Sequence, residues 1–175
     1  MKNSYEIRGE VTAIFLQKRS GKTIETLIDT SDLEKAMTFP NRWSANLMRN
    51  TKTYYVVGDL RLEGDIRKKW LLHRVLTDAP DGLVVDHINH NTLDNRKSNL
   101  RVLTNAQNFQ NMNGPYKNTK SGIRGVCWHK AARKWYASIK INGKCKYLGV
   151  YDDIEEAEAV AKEARKKLMP FYVED

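Results

Sequence analysis

Apolar and polar positions alternate with a period of two in several short stretches near the N-terminus. In "EVTAIF" the alternation picks out Val11, Ala13 and Phe15. "TIETLID" behaves alike, and together the two predict a hairpin or meander. "SDLEKAM" places Glu34 three residues after Ser31, a capping box that predicts a short helix. "YYVVG" and "WLLHRVL" are further apolar segments, expected as strands or as a short helix leading onward. "LVVDHI" follows the turn signal "APDG" and predicts a short buried strand. "NHNTLDNRKSN" then reads as loop, "LRVL" as a strand that pairs back, and "TNAQNFQNMN", with Thr104 and Gln107, as a capped short helix.

Beyond a polar stretch, "NGPYKNTKSG", the period of two returns. Three strands are expected, with Asn142-Gly143 as a two-residue hairpin turn between the second and third. In the second strand Trp135, Ala137, Ile139 and Ile141 share one face, and Tyr136, Ser138 and Lys140 the other. The pattern then changes to 3.6. Ile154, Ala157, Ala161, Ala164 and Leu168 form one narrow stripe on a helix that starts at Asp153 and stops before Pro170. Small residues on that stripe let the helix lie close to the sheet, leaving the far face of the sheet open. The expected fold class is α+β. A small β-rich scaffold at 1–72 precedes a strand–loop–strand–helix unit at 73–112, a linker at 113–121, and a three-stranded antiparallel sheet packed on one helix at 122–170.

The hydrophobic fraction of 41% is compatible with folded domains, while a net charge of +9 points to a polyanionic partner. That charge is unevenly placed. From Asn113 to Leu148 there are nine Lys or Arg and no Asp or Glu: Lys117, Lys120, Arg124, Lys130, Arg133, Lys134, Lys140, Lys144 and Lys146. From Gly149 onward acids outnumber bases. "MKNSYEIRGE" has no apolar core, so neither a signal peptide nor a membrane span is expected. Cys127 and Cys145 form no CxxC pair, so a structural zinc is not expected and a reduced, cytoplasmic setting is.

The chemistry concentrates in "VVDHINHNTLDNRKSNLRV". A histidine near neutral pKa can activate water, and a divalent cation on oxygen ligands can neutralise a phosphodiester and its leaving oxygen. Asp86 and His87 serve one point only if the strand ends or bends there, because successive side chains on a strand face opposite ways. Asn105, Asn108 and Asn111 on the following helix are further oxygen donors. Alone, an Asp-His pair after a strand is more often a turn with a satisfied histidine, and Asn and Asp in a loop are ordinary turn formers.

The whole run "DHINHNTLDNRKSNLR", with "LLHRVL" before it, resembles the HNH endonucleases, in particular the small phage and intron-encoded homing type. The resemblance covers about 70–112 and implies a ββα-metal nuclease core at 73–112 that hydrolyses DNA phosphodiester bonds. It implies His87 as general base, Asp86 and Asn108 as ligands of Mg²⁺ or Mn²⁺, and Asn99 as the residue that fixes the loop and orients the base. Asn stands at 108 where many members have His, a departure shared by nicking homing enzymes. His73, Arg96 and Arg101 are candidate phosphate contacts; His73 is as readily a packed histidine, and the arginines can instead hold carboxylates. His90 can be simply loop. The segment 121–168, with "RGVCW", "KWYASI" and "YLGVYDDIEEA", resembles the AP-two/ERF (ethylene-response-factor) DNA-binding domain, whose sheet enters the major groove. That resemblance implies DNA contacts from Arg124, Trp128, Lys130, Ser138, Lys140, Lys146 and Tyr147. The expected protein is a metal-dependent homing-type endonuclease, acting as a monomer on double-stranded DNA and cutting one strand per visit in the cytoplasm of a phage host. The rival expectation is a DNA-binding regulator with an inactive HNH relic. An RNA-binding or membrane-surface protein would explain the charge but none of the motif.

Overall fold

Strand β2 (Val11–Gln17) pairs antiparallel with β1 (Tyr5–Arg8) on one side and β3 (Thr23–Asp29) on the other. The expected meander is therefore present. Its inward side chains differ from the simple alternation, since Thr12, Ala13, Ile14 and Leu16 are all buried. A central strand covered on both faces buries consecutive residues, and the run Ala-Ile-Phe-Leu suits that better than a half-exposed strand would. Ser31 lies in a 3-10 turn (Thr30–Asp32), and the short helix α1 (Leu33–Met37) starts after Asp32, with no side-chain cap bond there. The capping box expected at Ser31 is thus replaced by a tighter turn.

A second sheet joins β4 (Trp43–Met48), β5 (Thr53–Arg61) and β6 (Arg67–Leu71) in that order. "WLLHRVL" is both things its pattern allowed: it leaves β6 directly into helix α2 (Leu72–Thr77). One core ties these elements together, built on Ile14, Leu16, Ile28, Phe39, Trp43, Val56, Leu72 and Leu76. Gly58 belongs to it by its lack of a side chain, because an added Cβ would come within 2.4 Å of the Phe39 ring. The two-stranded sheet of β7 (Val84–His87) and β8 (Leu100–Leu103) completes this part.

The computed structural model describes residues 1–18, 21–48, 52–61, 63, 67–112, 114–115 and 119–174. Lys117 of the basic run, and residues 113 and 116–118 of the expected linker, lie outside the described residues. The chain is α+β, with small antiparallel sheets and few helices, and it divides into two compact units, Met1–Thr104 and Asn105–Asp175.

The second unit begins with one α turn, α3 (Asn105–Asn108), and a 3-10 turn (Phe109–Asn111). Its sheet runs β11 (Lys144–Tyr151), β10 (Lys134–Ile141), β9 (Val126–His129). Asn142 and Gly143 both have positive φ, 49° and 78°, the backbone that the two-residue hairpin turn demands. Helix α4 (Ile154–Leu168) is capped by Asp153, whose carboxylate accepts from the Glu155 N–H. It lays Ala157 and Ala161 against Val126 and Ala137, so the stripe of small residues is where the pattern put it. Arg165 is the unforeseen member: only 7% exposed, it donates from Nη1 to the Arg124 carbonyl at 2.8 Å and lies over the Tyr172 ring.

Candidate active site

The pairing of β7 with β8 decides which way each side chain of the Asp-His pair faces. Asp86 stands opposite Arg101 and His87 opposite Leu100. Successive positions alternate, so His87 turns inward to 4% exposure, while the Asp86 side chain keeps 11% and meets Arg101. Arg101 donates from Nε and Nη2 to Asp86 Oδ2, both at 2.8 Å. The strand ends at His87. His90 then turns the chain, with φ 62° and its N–H donating to the His87 carbonyl at 3.0 Å.

The loop that follows is pinned from inside and outside. Asn99, 5% exposed, accepts on Oδ1 from the Asn89 N–H at 2.9 Å and donates from Nδ2 to the Asp94 carbonyl at 2.8 Å. Its own carbonyl accepts from Ile88 N–H at 2.9 Å. Asp94 is buried, and Arg96 grips both its carboxylate oxygens at 2.7 Å, which holds its pKa below the usual carboxylate range. From outside, strand β3 receives the loop along its free edge. Leu27 N–H donates to Leu93 O at 2.9 Å, and Asn95 N–H to Leu27 O at 2.7 Å. Asp29 Oδ2 accepts from the Lys97 N–H at 2.7 Å. The loop is therefore an extra partner of the N-terminal sheet, although its own composition reads only as turn formers.

This docking sets the surroundings of His87. Its Nε2 lies 3.2 Å from Asn95 Oδ1, and Asn95 Nδ2 donates to Thr26 Oγ1 at 2.8 Å. The His73 ring, on α2, packs edge-on at 5.3 Å, and the Tyr55 ring, on β5, at 6.0 Å. Burial lowers the His87 pKa against the pull of Asn95, Asp86 and Asp94, so the imidazole is neutral at pH 7. His73 is pushed down to about 3, by burial first and then by the His87 and Arg74 charges. Burial, with the Asp86 charge, raises the Tyr55 phenol and keeps its proton on. A neutral imidazole, a carboxylate and a protonated phenol thus share one corner of the first unit.

Several further candidates make contacts within the protein. His73 is the packed histidine of its two alternatives, 4% exposed with Nδ1 unpartnered among the described residues. Arg96 and Arg101 hold carboxylates, Asp94 and Asp86. Asn108 lies half-buried on α3 in the second unit, and Asn111 is buried there, its Oδ1 accepting from the Val173 N–H at 3.1 Å. The residue bonded to His87 itself is Asn95, from the "DNR" that reads as turn. Thr26 and Tyr55 carry no local signal, because only the tertiary pairing brings β3 and β5 to the loop.

In the second unit, register sorts the expected DNA contacts by face. Ser138 pairs with Tyr147, and Lys140 with Cys145, on the face that α4 does not cover. There the Tyr136 ring lies 5.4 Å from Tyr147 and 6.5 Å from His129. Trp128 and Lys146 face the other way. Trp128 pairs with Trp135 and stacks edge-on to it at 5.0 Å, and Lys146 pairs with Ile139, which the helix side buries. Trp128 and Lys146 therefore lie on the face opposite to Ser138, Lys140 and Tyr147. Arg124 is bound inward, donating to the carbonyls of Phe109, Gln110 and Met112 at 2.6–3.2 Å. Lys130 is exposed in the turn between β9 and β10.

As for a metal, no group of three or more His, Cys, Asp and Glu gathers among the described residues. The oxygen donor next to His87 in the chain is the Asp86 carboxylate, held by Arg101; a carboxylate suits a hard divalent cation that retains water. No helix is long and apolar enough to cross a membrane.

Residues 78–110 match the family model of the HNH endonucleases. A stretch of 65 residues is 37% identical to Protein 3.8 of Escherichia phage T7, covering 37% of this chain and 53% of that protein. The chain thus spans about half the length of the curated relative it matches. No solved structure gives a significant match. The family match falls on β7, β8 and the docked loop between them, and through that segment the chain is similar to the HNH endonucleases.

Proposed function

We propose that the protein is a divalent-metal-dependent DNA endonuclease that hydrolyses one phosphodiester bond per visit, with Asp86 and His87 at its centre. The observation that carries this reading is the state of His87: a buried, neutral imidazole beside a carboxylate, inside the segment that matches a nuclease family. Neutral imidazole is the form that accepts a proton. His87 takes a proton from water, the resulting hydroxide attacks phosphorus in line, and the leaving oxygen departs on the opposite side. A bound Mg²⁺ or Mn²⁺ would supply charge neutralisation for the phosphate and the leaving oxygen. Asp86 would hold it. The part assigned to Asn108 as second ligand rests on the resemblance to the HNH endonucleases. Arg101 orients the Asp86 carboxylate through two contacts at 2.8 Å, and Asn99 and the Asp94–Arg96 pair keep the loop in shape.

Delivery to DNA falls to the open face of the β9–β11 sheet. Ser138, Lys140 and Tyr147 share that face with Tyr136, and Lys130 flanks it; a sheet of this width fits the major groove, as in the AP-two/ERF domain the segment resembles. Arg124, Trp128 and Lys146 are left out of this set on the geometry above.

The test is nicking of supercoiled plasmid with Mg²⁺ or Mn²⁺. Wild type is expected to nick, and His87→Ala to keep DNA affinity while losing cleavage by several hundredfold or more, the scale of a lost general base. A wild-type protein that binds DNA and never cuts it with either metal would instead be the regulatory relic.

A further inference from the structure

The hydrogen bonds behind His87 have directions that follow one from the next. Thr26 Oγ1 donates to the Leu93 carbonyl at 2.6 Å, because a carbonyl can only accept. What the hydroxyl presents to Asn95 is then a lone pair, and Asn95 Nδ2 donates to it at 2.8 Å. Nδ2 also faces the Thr92 carbonyl at 3.4 Å, so two acceptors fix which end of the amide points that way. The other end, Oδ1, meets His87 Nε2 at 3.2 Å. An amide oxygen only accepts, so the hydrogen of a neutral imidazole belongs on Nε2 and the lone pair on Nδ1. Thr26 is fully buried and Asn95 is 1% exposed, so the amide is packed on all sides and water does not stand in for its partners.

The other tautomer would set the Nε2 lone pair against the Asn95 oxygen, two acceptors facing each other in a buried space. It would also put the hydrogen on Nδ1 and leave that nitrogen without a lone pair to accept a proton. Taking His87 as the general base of the reading above, we propose that Thr26 and Asn95 are positioning residues that hold it in its Nε2–H form, which makes Nδ1 the atom that removes the proton from water. The groups that face His87 otherwise are the rings of His73 and Tyr55 and the carboxylates of Asp86 and Asp94.

The experiment uses the full chain with ¹⁵N-labelled histidine. Two-bond nitrogen–proton couplings at neutral pH read which ring nitrogen of His87 carries hydrogen, independently of any cutting. Wild type is expected to show the Nε2–H form. Thr26→Val and Asn95→Ala are expected to admit the Nδ1–H form. Both should slow plasmid nicking at saturating protein by roughly 10- to 100-fold, the usual cost of losing a group that orients a reacting imidazole, with DNA affinity unchanged. Asn95→Asp keeps an acceptor at Nε2 and should retain the tautomer and most of the rate. Should Asn95→Ala fail to fold, Thr26→Val decides alone. A wild-type His87 in the Nδ1–H form, or a Thr26→Val protein with wild-type tautomer and rate, overturns the proposal. If wild type shows Nε2–H, Thr26→Val loses it and neither protein nicks DNA, the positioning stands and the general-base reading falls.

Discussion

His73 and His87 are two buried imidazoles 5.3 Å apart, and each is easier to keep neutral than charged. Unfolded, a histidine titrates near about 6.5; folded, His73 does so at about 3. Between those values only the unfolded chain binds the proton. Stability is therefore fully present above about pH 6.5 and falls as pH drops toward 3, by up to about 1.4 kcal/mol per pH unit from this residue. Denaturant titrations across that window should show the slope, and His73→Phe, which fills the same ring space, should flatten it by about one proton. If His87 is the base, its depressed pKa predicts a cleavage rate already on its plateau at pH 7, with the acid limb below the ordinary imidazole range. A limb at or above pH 7 would remove His87 from the role. At this scale the sequence was readable where a motif was continuous: Asp86, His87 and Asn99 are adjacent in the structure because strand and loop are adjacent in the chain. Asn95 was in view but looked like any turn asparagine. Thr26 and Tyr55 could not be found, since nothing local marks a threonine on a strand edge or a tyrosine on a neighbouring sheet as bound for a histidine.

Among elements, the strands and the long helix were legible from their periods, and the Asn142-Gly143 turn from its two residues. The short helices were less so. Seven residues hold too few apolar positions to separate a 3-10 turn from a capped α turn, and "SDLEKAM" resolved into one after the other. What no period could show is that the 88–97 loop uses the outer edge of β3, because edge pairing draws on backbone groups that every residue has. Leu27 sits where its N–H faces the loop and not β2, so Leu27→Pro removes a single docking bond from an edge position that tolerates proline. Hydrogen exchange in residues 88–97 should accelerate while the β1–β2 amides stay protected, and nicking should fall by roughly tenfold or more as the loop loosens. Equal protection of the loop in both proteins would mean that the β3 edge is not what holds it.

The two units divide the charge as well as the chain, with the acid-free run confined to the second. Removing residues 113–175 leaves Asp86, His87 and Asn108 but none of the open sheet face. DNA affinity should drop, and its dependence on salt should become shallower by about one power of salt concentration per lost phosphate contact. Unchanged affinity and slope would assign targeting to the first unit instead. The docking of the loop onto β3 has a further consequence for anyone who wishes to move this hairpin into another protein. The stretch that matches the HNH family starts at residue 78, yet Asn95 leans on a threonine 69 positions upstream. A chimera that transplants 78–110 into a foreign host protein would carry the acid and the histidine but arrive without the strand edge they are fastened to. A portable version of this hairpin has to travel with β2 and β3 attached.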